Sequence, residues 1–495
     1  MDRGIDRAVD VLIVGAGPTG MGASWRIQEL HELGLNAVHD WLLVEQCSAP
    51  GGMAASFRDA QGFTWDIGVH VIYSHYPYFN EFLKDVLGEG ILEHPRKGWV
   101  WLKGNYIPFP LQNNLQRLPV DDLLACVASF PNAATANPMP ANFSQWINQH
   151  FGTALAELFF LPYAYKMWAY PAENLATTWT ERKSSSKYQN VQRTSLLPLV
   201  ENLIRRQDTP GWDGAVPFPY PAKGGAGALW SEAFSRLPRE HAQLGKGVVS
   251  IDTASRVATL SSGERVRYAS LLSSMPLDAF LERLDEGFRA QLPAPVLKHS
   301  SSHVIGVGVH GEVPEHLRDK FWIQFAQLDL PFFRISITSN YSPDNVPSSG
   351  AFWSLMCEVS ESPLKPVNHD TVVPDVIAAL RRVGLLSPEH EIASVWHRPI
   401  AYGYPVPCLE RDAYLEEVQA LLKENGIYSR GRFGGWKYEV SNQDNAFMQG
   451  VEAIDNMVLG TEELTYMHPE LVCRTIVDRL AGRSFLNRHK MVRPA

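Results

Sequence analysis

Residues 9–20 read VDVLIVGAGPTG, a short apolar run of mostly β-branched residues that ends in a glycine-rich turn. The following segment, SWRIQELHEL, has the apolar spacing of a helix. In such a strand–turn–helix, the first glycine permits the tight turn, the second lets a pyrophosphate approach the backbone, and the third allows close helix packing. Gly15, Gly17 and Gly20 are therefore predicted to hold a dinucleotide at the start of the helix.

A second apolar run from Trp41 to Val44 ends in Glu45, 25 residues after Gly20. This order predicts a β-α-β unit in which the Glu45 carboxylate can accept a hydrogen bond from a ribose hydroxyl. Since a glycine pattern alone is a weak signal, the acidic residue at this distance carries much of the prediction.

Two further segments favour FAD over a nicotinamide dinucleotide as the bound cofactor. The sequence APGGMAAS contains Gly52 and Met53, where small residues allow the backbone to pass close to a flat ligand. Near the other end, GRFGGW and NQDN precede a stretch, AFMQGVEAIDNMV, that predicts an amphipathic helix. The positive end of that helix could face the flavin and favour its reduced, anionic form.

Composition limits the function classes. The chain has 495 residues and a net charge of −9 at pH 7, so no global field attracts nucleic acid or an anionic membrane. No apolar run approaches the roughly 18 residues of a membrane span. Five scattered cysteines without a CxxC pair predict reduced thiols and a cytoplasmic protein.

The distribution of sequence patterns predicts an α/β protein with three parts. The sequence pattern from about Leu115 to Arg206 predicts helices. A stretch rich in proline and glycine (208–228) predicts a loop or flap. Strand-like runs at 245–275 and about 303–360 indicate a second, mainly antiparallel sheet. The predicted division is a FAD-binding, doubly wound Rossmann-like domain (1–95, 220–275 and 425–490), an inserted helical substrate domain (113–206) and an antiparallel sheet domain (96–112 and 276–424).

The stretch WDIGVHVIYSHY (65–76) places His70 and His75 five residues apart. They would face opposite sides of a strand and lie about 140° apart on a helix, so neither geometry makes a metal-binding pair. No HExxH, GxSxG or P-loop motif is present, and we predict no metal site. His70 is the better functional candidate of the two because it directly follows Gly68-Val69, where the chain is expected to pass the flavin ring.

These segments, in order and along nearly the whole chain, resemble the UDP-galactopyranose mutases, specifically the eukaryotic type. Among the matching segments are DVLIVGAGPTGMGA, GFTWDIGVHVIYSHYPYF, FFLPYAYKMWAYP, PAKGGAGALW, PFFRISITSNYSP and SRGRFGGWKYEVSNQDNAFMQGVEAIDN. The resemblance implies an FAD-dependent isomerase with no net redox change. It implies that N5 of the reduced flavin acts as nucleophile on the anomeric carbon of a UDP-hexose and that the reaction interconverts UDP-galactopyranose and UDP-galactofuranose.

The resemblance also implies roles for individual residues. Arg182 and Arg334 match the arginines that contact the diphosphate, and Tyr404 and Tyr438 match tyrosines that contact phosphate. Asn442 matches an active-site asparagine, and with His70 and the two arginines it makes up the implied catalytic set. The remaining substrate positions are Gln112, which contacts uracil, and Trp168 and Trp322, near the pocket.

The implied cofactor positions include a mobile loop beside the flavin, formed by Gly68, Val69 and His70. Val248 and Gln443 also belong to this set. Arg96 and Arg432 match residues associated with NADPH or flavin, which implies NAD(P)H as electron donor. The implied partners are a nucleotide-sugar substrate and further copies of the same chain in a homo-oligomer.

The sequence departs from the family pattern at five positions. Val69 replaces a glycine before the loop histidine, and Gln324 replaces a tyrosine that contacts phosphate. Phe109, Tyr73 and Ala215 replace a tyrosine, a phenylalanine and an asparagine of the nucleotide side. Since four of the five departures lie on the nucleotide side, they predict retained chemistry with a change in the nucleotide, the sugar or the binding affinity.

Three alternatives remain open from the sequence. The chain could be a mutase for a different nucleotide sugar, as the departures allow. It could instead be an FAD-dependent oxidoreductase of the amine-oxidase or desaturase kind, which shares the nucleotide-binding fold. The third alternative is a nucleotide-sugar binder without catalytic activity.

Overall fold

The computed structural model describes residues 4–35, 38–74, 76–130, 139–180, 191, 193–209 and 217–469. Three residues named above, His75, Arg182 and Ala215, lie outside these ranges, as does one of the five cysteines, Cys473. The strands are β1 (Arg7–Val14), β2 (Trp41–Glu45), β3 (Ser56–Arg58), β4 (Thr64–Asp66), β5 (Ile91–His94), β6 (Gly98–Leu102), β7 (Asn105–Pro108), β8 (Phe218–Pro221), β9 (Ala242–Leu244), β10 (Val248–Asp252), β11 (Val257–Leu260), β12 (Arg265–Ser273), β13 (Lys298–His310), β14 (Trp322–Phe325), β15 (Arg334–Ile337), β16 (Phe352–Glu361), β17 (Ile392–Val406) and β18 (Ile427–Ser429).

The α-helices follow the same order along the described chain. They are α1 (Pro18–Glu32), α2 (Pro77–Leu87), α3 (Val120–Ser129), α4 (Phe143–Phe151), α5 (Thr153–Leu155), α6 (Leu161–Trp168), α7 (Leu196–Arg205), α8 (Ala228–Ser235), α9 (Leu277–Leu281), α10 (Glu286–Arg289), α11 (Val372–Arg382), α12 (Arg411–Glu424), α13 (Gln443–Leu459) and α14 (Leu464–Met467).

The first sheet has the strand order β10-β11-β12-β1-β2-β9, with β18 beside β12. Strand β1 runs parallel to both β2 and β12, which confirms the predicted Rossmann-like unit. Because parallel strands end at the same edge, Gly15 after β1 and Glu45 at the end of β2 are neighbours. The strand pattern at 245–275 was grouped with the second sheet, although the predicted division placed 220–275 in the FAD-binding domain, and the grouping with the second sheet was wrong. Its strands β10 to β12 extend the first sheet, since β12 pairs directly with β1.

Helices α1 and α13 pack against each other at glycines. A Cβ on Gly22 would lie 2.1 Å from the carbonyl oxygen of Phe447, and a Cβ on Gly450 would lie 1.9 Å from that of Thr19. A buried ion pair between Arg26 and Asp455 (2.7 Å) joins the same two helices. Every α13 residue from Asp444 to Asp455 is buried. The sequence predicted an amphipathic helix with one polar face towards solvent. Over residues 444–455 other elements cover that polar face as well, so this part of α13 is enclosed on all sides.

The second sheet has the order β17-β13-β16-β15-β14-β6-β7. Its neighbouring strands are antiparallel except β14 and β6, which confirms the predicted mainly antiparallel sheet. One of its faces packs against α11 through a cluster that includes Ile305, Val359 and Val376. The sheet is thus covered on that side by a helix, and residues such as Glu358 on alternate positions of β16 point to the other side.

The helices between residues 120 and 205 share a core with the edge of the second sheet, including Trp146, Trp168 and Tyr404. The segment 208–228 was predicted to be a loop, but it contains strand β8, which pairs with β5. Where the domains begin and end stays a prediction.

Among the described residues, no helix is long and apolar enough to cross a membrane. The described cysteines, Cys47, Cys126, Cys357 and Cys408, are all free thiols.

We expect Gly450→Ala to destabilise the protein. An alanine in a helix normally gains about 1 kcal/mol over glycine, but here its Cβ would clash with the carbonyl of Thr19. Overpacking of this kind costs about 1–3 kcal/mol of the free energy of unfolding. The effect can be measured as a lower melting temperature in a thermal unfolding experiment that monitors the release of bound flavin.

The matched control is Gly287→Ala in the exposed helix α10, where the nearest atom to a new Cβ is a carboxylate oxygen of Asp285 at 3.2 Å. We expect this variant to keep or slightly raise the melting temperature. Equal stability of both variants would contradict the close-contact role of Gly450.

Candidate active site

The turn between β1 and α1 can be made only with glycines. Gly15 has a φ of +103°, and a Cβ there would lie 2.2 Å from the hydroxyl oxygen of Ser274. A Cβ on Gly20 would lie 1.9 Å from the carbonyl oxygen of Gly15. Gly17 caps α1 without a side-chain hydrogen bond to the first turn. The backbone donors of this helix end can therefore meet an anionic group.

Glu45 is buried at the end of β2 and ties this turn to the next loop. Its two carboxylate oxygens accept from the backbone nitrogens of Ala16 and Cys47, each at 2.8 Å. Its carbonyl accepts from Lys246 at 2.8 Å, which brings the start of β10 and Val248 to the same edge. Since each carboxylate oxygen has two lone pairs, capacity remains for a ribose hydroxyl.

The second glycine pair packs on the first turn. The backbone nitrogen of Gly51 donates to the carbonyl of Ala16 (2.9 Å), and a Cβ on Gly52 would lie 3.4 Å from the Cα of Gly17. Met53 packs against a buried cluster that includes Ile67. The predicted cofactor residues 15–20, 45 and 51–53 are therefore brought together at one edge.

The segment after β4 is irregular, so His70 lies in neither of the regular structures considered above. Gly68 has a φ of +84°, and a Cβ there would lie 2.8 Å from a carboxylate oxygen of Glu358. Val69 packs against an aromatic cluster that contains Trp322. The carbonyl of His70 accepts a long hydrogen bond (3.4 Å) from Gln443. The loop thus contacts both the second sheet and the start of α13.

His70 is electrically neutral in this environment. Burial, followed by the charges of Arg432 and Arg334, lowers the pKa of His70 to about 4. Its Nδ1 atom is buried and has no hydrogen-bond partner among the described residues. A buried polar atom without a partner is costly, and it fits a place where a bound polar group completes the hydrogen bond.

Arg334 on β15 is held rigidly by Glu358 on β16. Its Nε and Nη2 donate to the two carboxylate oxygens at 2.7 and 2.8 Å, and Nη2 also donates to the hydroxyl of Tyr404 at 3.1 Å. The guanidinium has five N–H groups, so the two on Nη1 remain for a further acceptor. Arg334 can therefore offer one edge to an anion while Glu358 fixes its orientation.

Arg432 lies close to the same residues. It donates to the hydroxyl of Ser441 (2.9 Å) and the carbonyl of Gly403 (3.0 Å), both neutral acceptors. Its guanidinium lies 4.9 Å from the ring centre of Tyr404. No salt bridge to Arg432 occurs among the described residues, so its positive charge is not neutralised by a carboxylate contact there.

Aromatic rings complete this group. The ring centres of Trp168 and Tyr438 lie 4.7 Å apart, and Tyr438 and Tyr404 lie 6.1 Å apart. Trp168 is fully buried, and burial raises the pKa of Tyr438 to about 12. Arg334, Arg432, Tyr404, Tyr438 and Trp168, which we call the arginine–tyrosine cluster, therefore present two guanidinium groups and two hydroxyls in an aromatic wall.

Gln324 lies next to this cluster. It is paired across the sheet with Arg334, it is buried, and its side-chain oxygen has no hydrogen-bond partner among the described residues. Trp322, two residues earlier, faces the same side of β14. The predicted phosphate position and the predicted pocket tryptophan are therefore neighbours.

The remaining predicted site residues near β6 and β7 are Arg96, Phe109 and Gln112, with Tyr73 beside Arg96. Phe109 donates its backbone N–H to the Gly98 carbonyl (3.0 Å), and a Cβ on Gly98 would lie 2.6 Å from the Trp322 ring. The guanidinium of Arg96 lies 5.0 Å from the ring centre of Tyr73. Gln112 is buried in the short turn after Phe109. The structure gathers these positions, while their roles toward a nucleotide stay predictions.

Asn442 is the N-cap of α13, yet its side chain makes no capping bond and is exposed. Gln443 accepts from the indole of Trp230 at 2.8 Å. Asn442 can therefore reach a ligand at the helix end. Arg182, the other implied catalytic arginine, lies outside the described residues.

The sequence analysis missed Glu358. Its carboxylate fixes Arg334 and faces Gly68 across a gap too small for a side chain. The signal was available, because Glu358 is a single charge in the apolar run AFWSLMCEV, and a buried carboxylate needs a partner. What no pattern could supply was the identity of that partner.

The arrangement as a whole fits a dinucleotide that runs from the glycine turn towards the loop at residues 67–74. The glycine contacts at one end and the unpartnered His70 nitrogen at the other support this fit. At the loop end of this dinucleotide, the arginine–tyrosine cluster can bind an anionic substrate next to the same loop.

We expect the charge state of His70 to alter the pH dependence of stability. The folded-state pKa of about 4 is below the unfolded value of about 6.5, so the unfolded chain binds the proton more readily between these values. The free energy of unfolding should therefore fall as pH drops through this window. The His70→Asn variant lacks this titration, so its free energy of unfolding should decrease by up to about 3 kcal/mol less than that of the wild type over the same pH range.

Urea unfolding of both proteins at several pH values between 6.5 and 4 measures the difference. Other buried groups titrate in both proteins and cancel in the comparison. Parallel stability curves would contradict the lowered pKa of His70 in the folded protein.

Comparisons with known proteins agree with this architecture. Residues 13–86 match the model of an NAD(P)-binding Rossmann-like domain. A cyclohexylamine oxidase from Brevibacterium oxydans has a similar fold, with a TM-score of 0.63, 16% identity, and coverage of 91% of this chain and 99% of that chain. A putrescine oxidase with bound putrescine gives a TM-score of 0.57 at 16% identity, with the same coverage. Identities this low show the fold alone.

A crystal structure of reduced UDP-galactopyranose mutase is far more similar. It matches with a TM-score of 0.86 and 39% identity over 94% of this chain and 99% of that chain. The similarity covers both sheets and the helical region rather than the nucleotide-binding unit alone. The chain therefore belongs to the UDP-galactopyranose mutase family.

Proposed function

We propose that this protein is an FAD-dependent mutase of the eukaryotic type that interconverts the pyranose and furanose forms of a nucleotide sugar, with UDP-galactose as substrate. The observation that carries the proposal is the arginine–tyrosine cluster. Arg432 bonds only to neutral acceptors among the described residues, and Arg334 keeps two donors on Nη1. Such a site next to a dinucleotide cradle suits a diphosphate.

When bound and reduced, FAD supplies a nucleophilic ring nitrogen for an anomeric carbon. The protein then has to bind, orient and shield the substrate. Arg334 would pair with the negative charge of the diphosphate, and the hydroxyls of Tyr404 and Tyr438 would donate hydrogen bonds to its oxygens. Trp168 closes the wall behind them and excludes water, which would otherwise compete for the activated sugar.

The loop at residues 67–74 would connect the state of the cofactor to the substrate. The side chain of Gln443 donates to the carbonyl of His70, which links the loop backbone to the start of α13. A neutral His70 can donate or accept at Nδ1 without adding a third positive charge beside Arg334 and Arg432. Arg96 would contribute to the binding of NAD(P)H, the proposed electron donor, while the charge of Arg432 would be neutralised by the substrate diphosphate.

An oxidoreductase of the amine-oxidase kind is the rival function, and the site disfavours it. An amine or lipid substrate offers no negative charge to neutralise Arg432, which has no carboxylate contact among the described residues, whereas Arg334 is already paired with Glu358. The cost of burying a cation without an anion would then remain unbalanced.

The test is an anaerobic incubation of the purified flavoprotein with UDP-galactofuranose, with and without dithionite, with chromatography of UDP-galactopyranose. We expect conversion only after reduction. No conversion, with the flavin bound and reducible, would contradict the proposal for this sugar. A panel of other nucleotide sugars and an oxygen-consumption assay with amines then separate the two rivals.

We expect loss of the Arg334 guanidinium to lower kcat/KM. Arg334→Ala alone would leave Glu358 buried and unpaired, which can cost about 3–5 kcal/mol of stability. The cleaner variant is the double change Arg334→Gln/Glu358→Gln. Loss of a charged hydrogen bond of roughly 1.5–3 kcal/mol should lower kcat/KM about ten- to a hundredfold, while the flavin spectrum stays unchanged.

Two controls accompany that measurement. Glu358→Gln alone keeps the guanidinium and should retain more activity than the double variant. Arg318→Gln removes a surface arginine that pairs with Glu312 and Glu315, and it should leave kcat/KM unchanged. Wild-type kinetics in the double variant would remove Arg334 from the substrate site.

We expect Gln324→Tyr to tighten UDP binding. The new hydroxyl would stand beside Arg334 and offer the phosphate an additional donor worth about 0.5–1.5 kcal/mol, up to about a tenfold lower Kd. Flavin fluorescence during UDP titration measures it, with Gln291→Tyr on the surface as control. An unchanged Kd would show that Gln324 has no influence on nucleotide affinity.

A further inference from the structure

Two histidines and a carboxylate meet on the second sheet, apart from the proposed active site. They are His303 on β13, Glu361 at the end of β16, and His369 in the segment before α11. Nε2 of His303 lies 3.0 Å from Oε2 of Glu361, and Nε2 of His369 lies 3.0 Å from both oxygens of Glu361. The three potential ligand atoms all lie within 4.8 Å of one another.

We propose that His303, Glu361 and His369 bind one divalent transition-metal ion, with Zn²⁺ the best match. Ligand atoms about 2.0–2.1 Å from a tetrahedral ion lie roughly 3.3 Å from each other, so small side-chain adjustments suffice. Two imidazoles and one carboxylate are typical zinc ligands. Mg²⁺ and Ca²⁺ prefer oxygen ligands, and this set disfavours them.

A fourth residue orients the buried ligand. His303 is 1% exposed, and its Nδ1 lies 3.0 Å from Nε2 of His397 on the neighbouring strand β17. In metal sites the second nitrogen of a ligating histidine almost always donates a hydrogen bond, commonly to a carboxylate, a carbonyl or water, which fixes its tautomer and aims its other nitrogen at the ion. Here a neutral His397 would be the acceptor. The sheet itself positions these side chains, since β13 pairs with both β16 and β17.

The cluster is also accessible to an ion. The side chain of His369 is 59% exposed and that of Glu361 is 22% exposed, so a water molecule could occupy the fourth position. Lys365 places a positive charge nearby, but its ammonium donates to the carbonyl of Ser360 rather than to the carboxylate. Without an ion, the same contacts form a hydrogen-bonded network, and the experiment must separate these two states.

The proposed ion would lie on the side of the sheet opposite Arg334. Glu358 and Glu361 are three residues apart on β16 and therefore point to opposite faces. Glu358 faces Arg334, whereas Cys357 and Val359 face the core shared with α11. The ion would link β13 and β16 to the segment before α11 without entering the catalytic site.

The sequence analysis predicted no metal site because it examined only histidines close in sequence. His303 and Glu361 are 58 positions apart, and no ligand-spacing motif joins them. Only the antiparallel pairing of β13 and β16 brings them together.

The test uses full-length, FAD-loaded protein without a histidine tag, stripped of metals with a chelator. Titration with Zn²⁺ against a chromophoric indicator should show one equivalent bound in the wild type, and Mg²⁺ should not compete. Glu361→Gln and His369→Ala should each abolish that equivalent. His397→Ala keeps all three ligands and should weaken binding about ten- to a hundredfold.

His310→Ala is the matched control, since it removes an exposed histidine from the end of the same strand. It should bind Zn²⁺ like the wild type. His369 lies in an exposed segment, so its variant should fold even if changes at buried His303 prevent folding, and flavin content verifies this. Absence of a stoichiometric site in the wild type, or binding that Glu361→Gln and His369→Ala leave unchanged, would overturn the proposal.

Discussion

The close contact between α1 and α13 is the constraint on which the site depends. Gly22 and Gly450 let each helix approach the backbone of the other, at residues more than 400 positions apart. The same contact continues beyond the helix, because a Cβ on Gly431 would lie 2.2 Å from the hydroxyl oxygen of Thr19. The glycine turn, the start of α13 and the segment that carries Arg432 are consequently held as one rigid group.

The charged side chains inside the protein are a second constraint on the site. Whether a carboxylate neutralises an arginine determines whether that arginine can neutralise a bound anion. Arg334 pairs with Glu358, and Arg411 pairs with Glu439. Breaking such a pair is costly because it leaves a desolvated charge. Arg432 differs, since its contacts among the described residues are neutral. The paired arginines are thus held in fixed orientations, and Arg432 contributes the positive charge that a bound anion can neutralise.

The second sheet serves two purposes on its two faces. One face presents Glu358, Arg334 and Gln324 towards the proposed substrate site. The other packs against α11 and carries the histidine–glutamate cluster near its edge. Because successive strand residues alternate between faces, a single strand such as β16 contributes to both without direct contact between them.

Sequence alone determined the nucleotide-binding unit, because the glycine turn and its flanking strands depend on local backbone geometry and short spacing. It also predicted the second antiparallel sheet and most members of the arginine–tyrosine cluster, the latter through family resemblance. Tertiary structure decided that α13 is enclosed on every side, that β10 to β12 extend the first sheet, and that Glu358 holds Arg334. It also decided that His303 meets Glu361. These features depend on which distant segments pack together, and residue periodicity reports only whether a face is apolar, not which partner covers it.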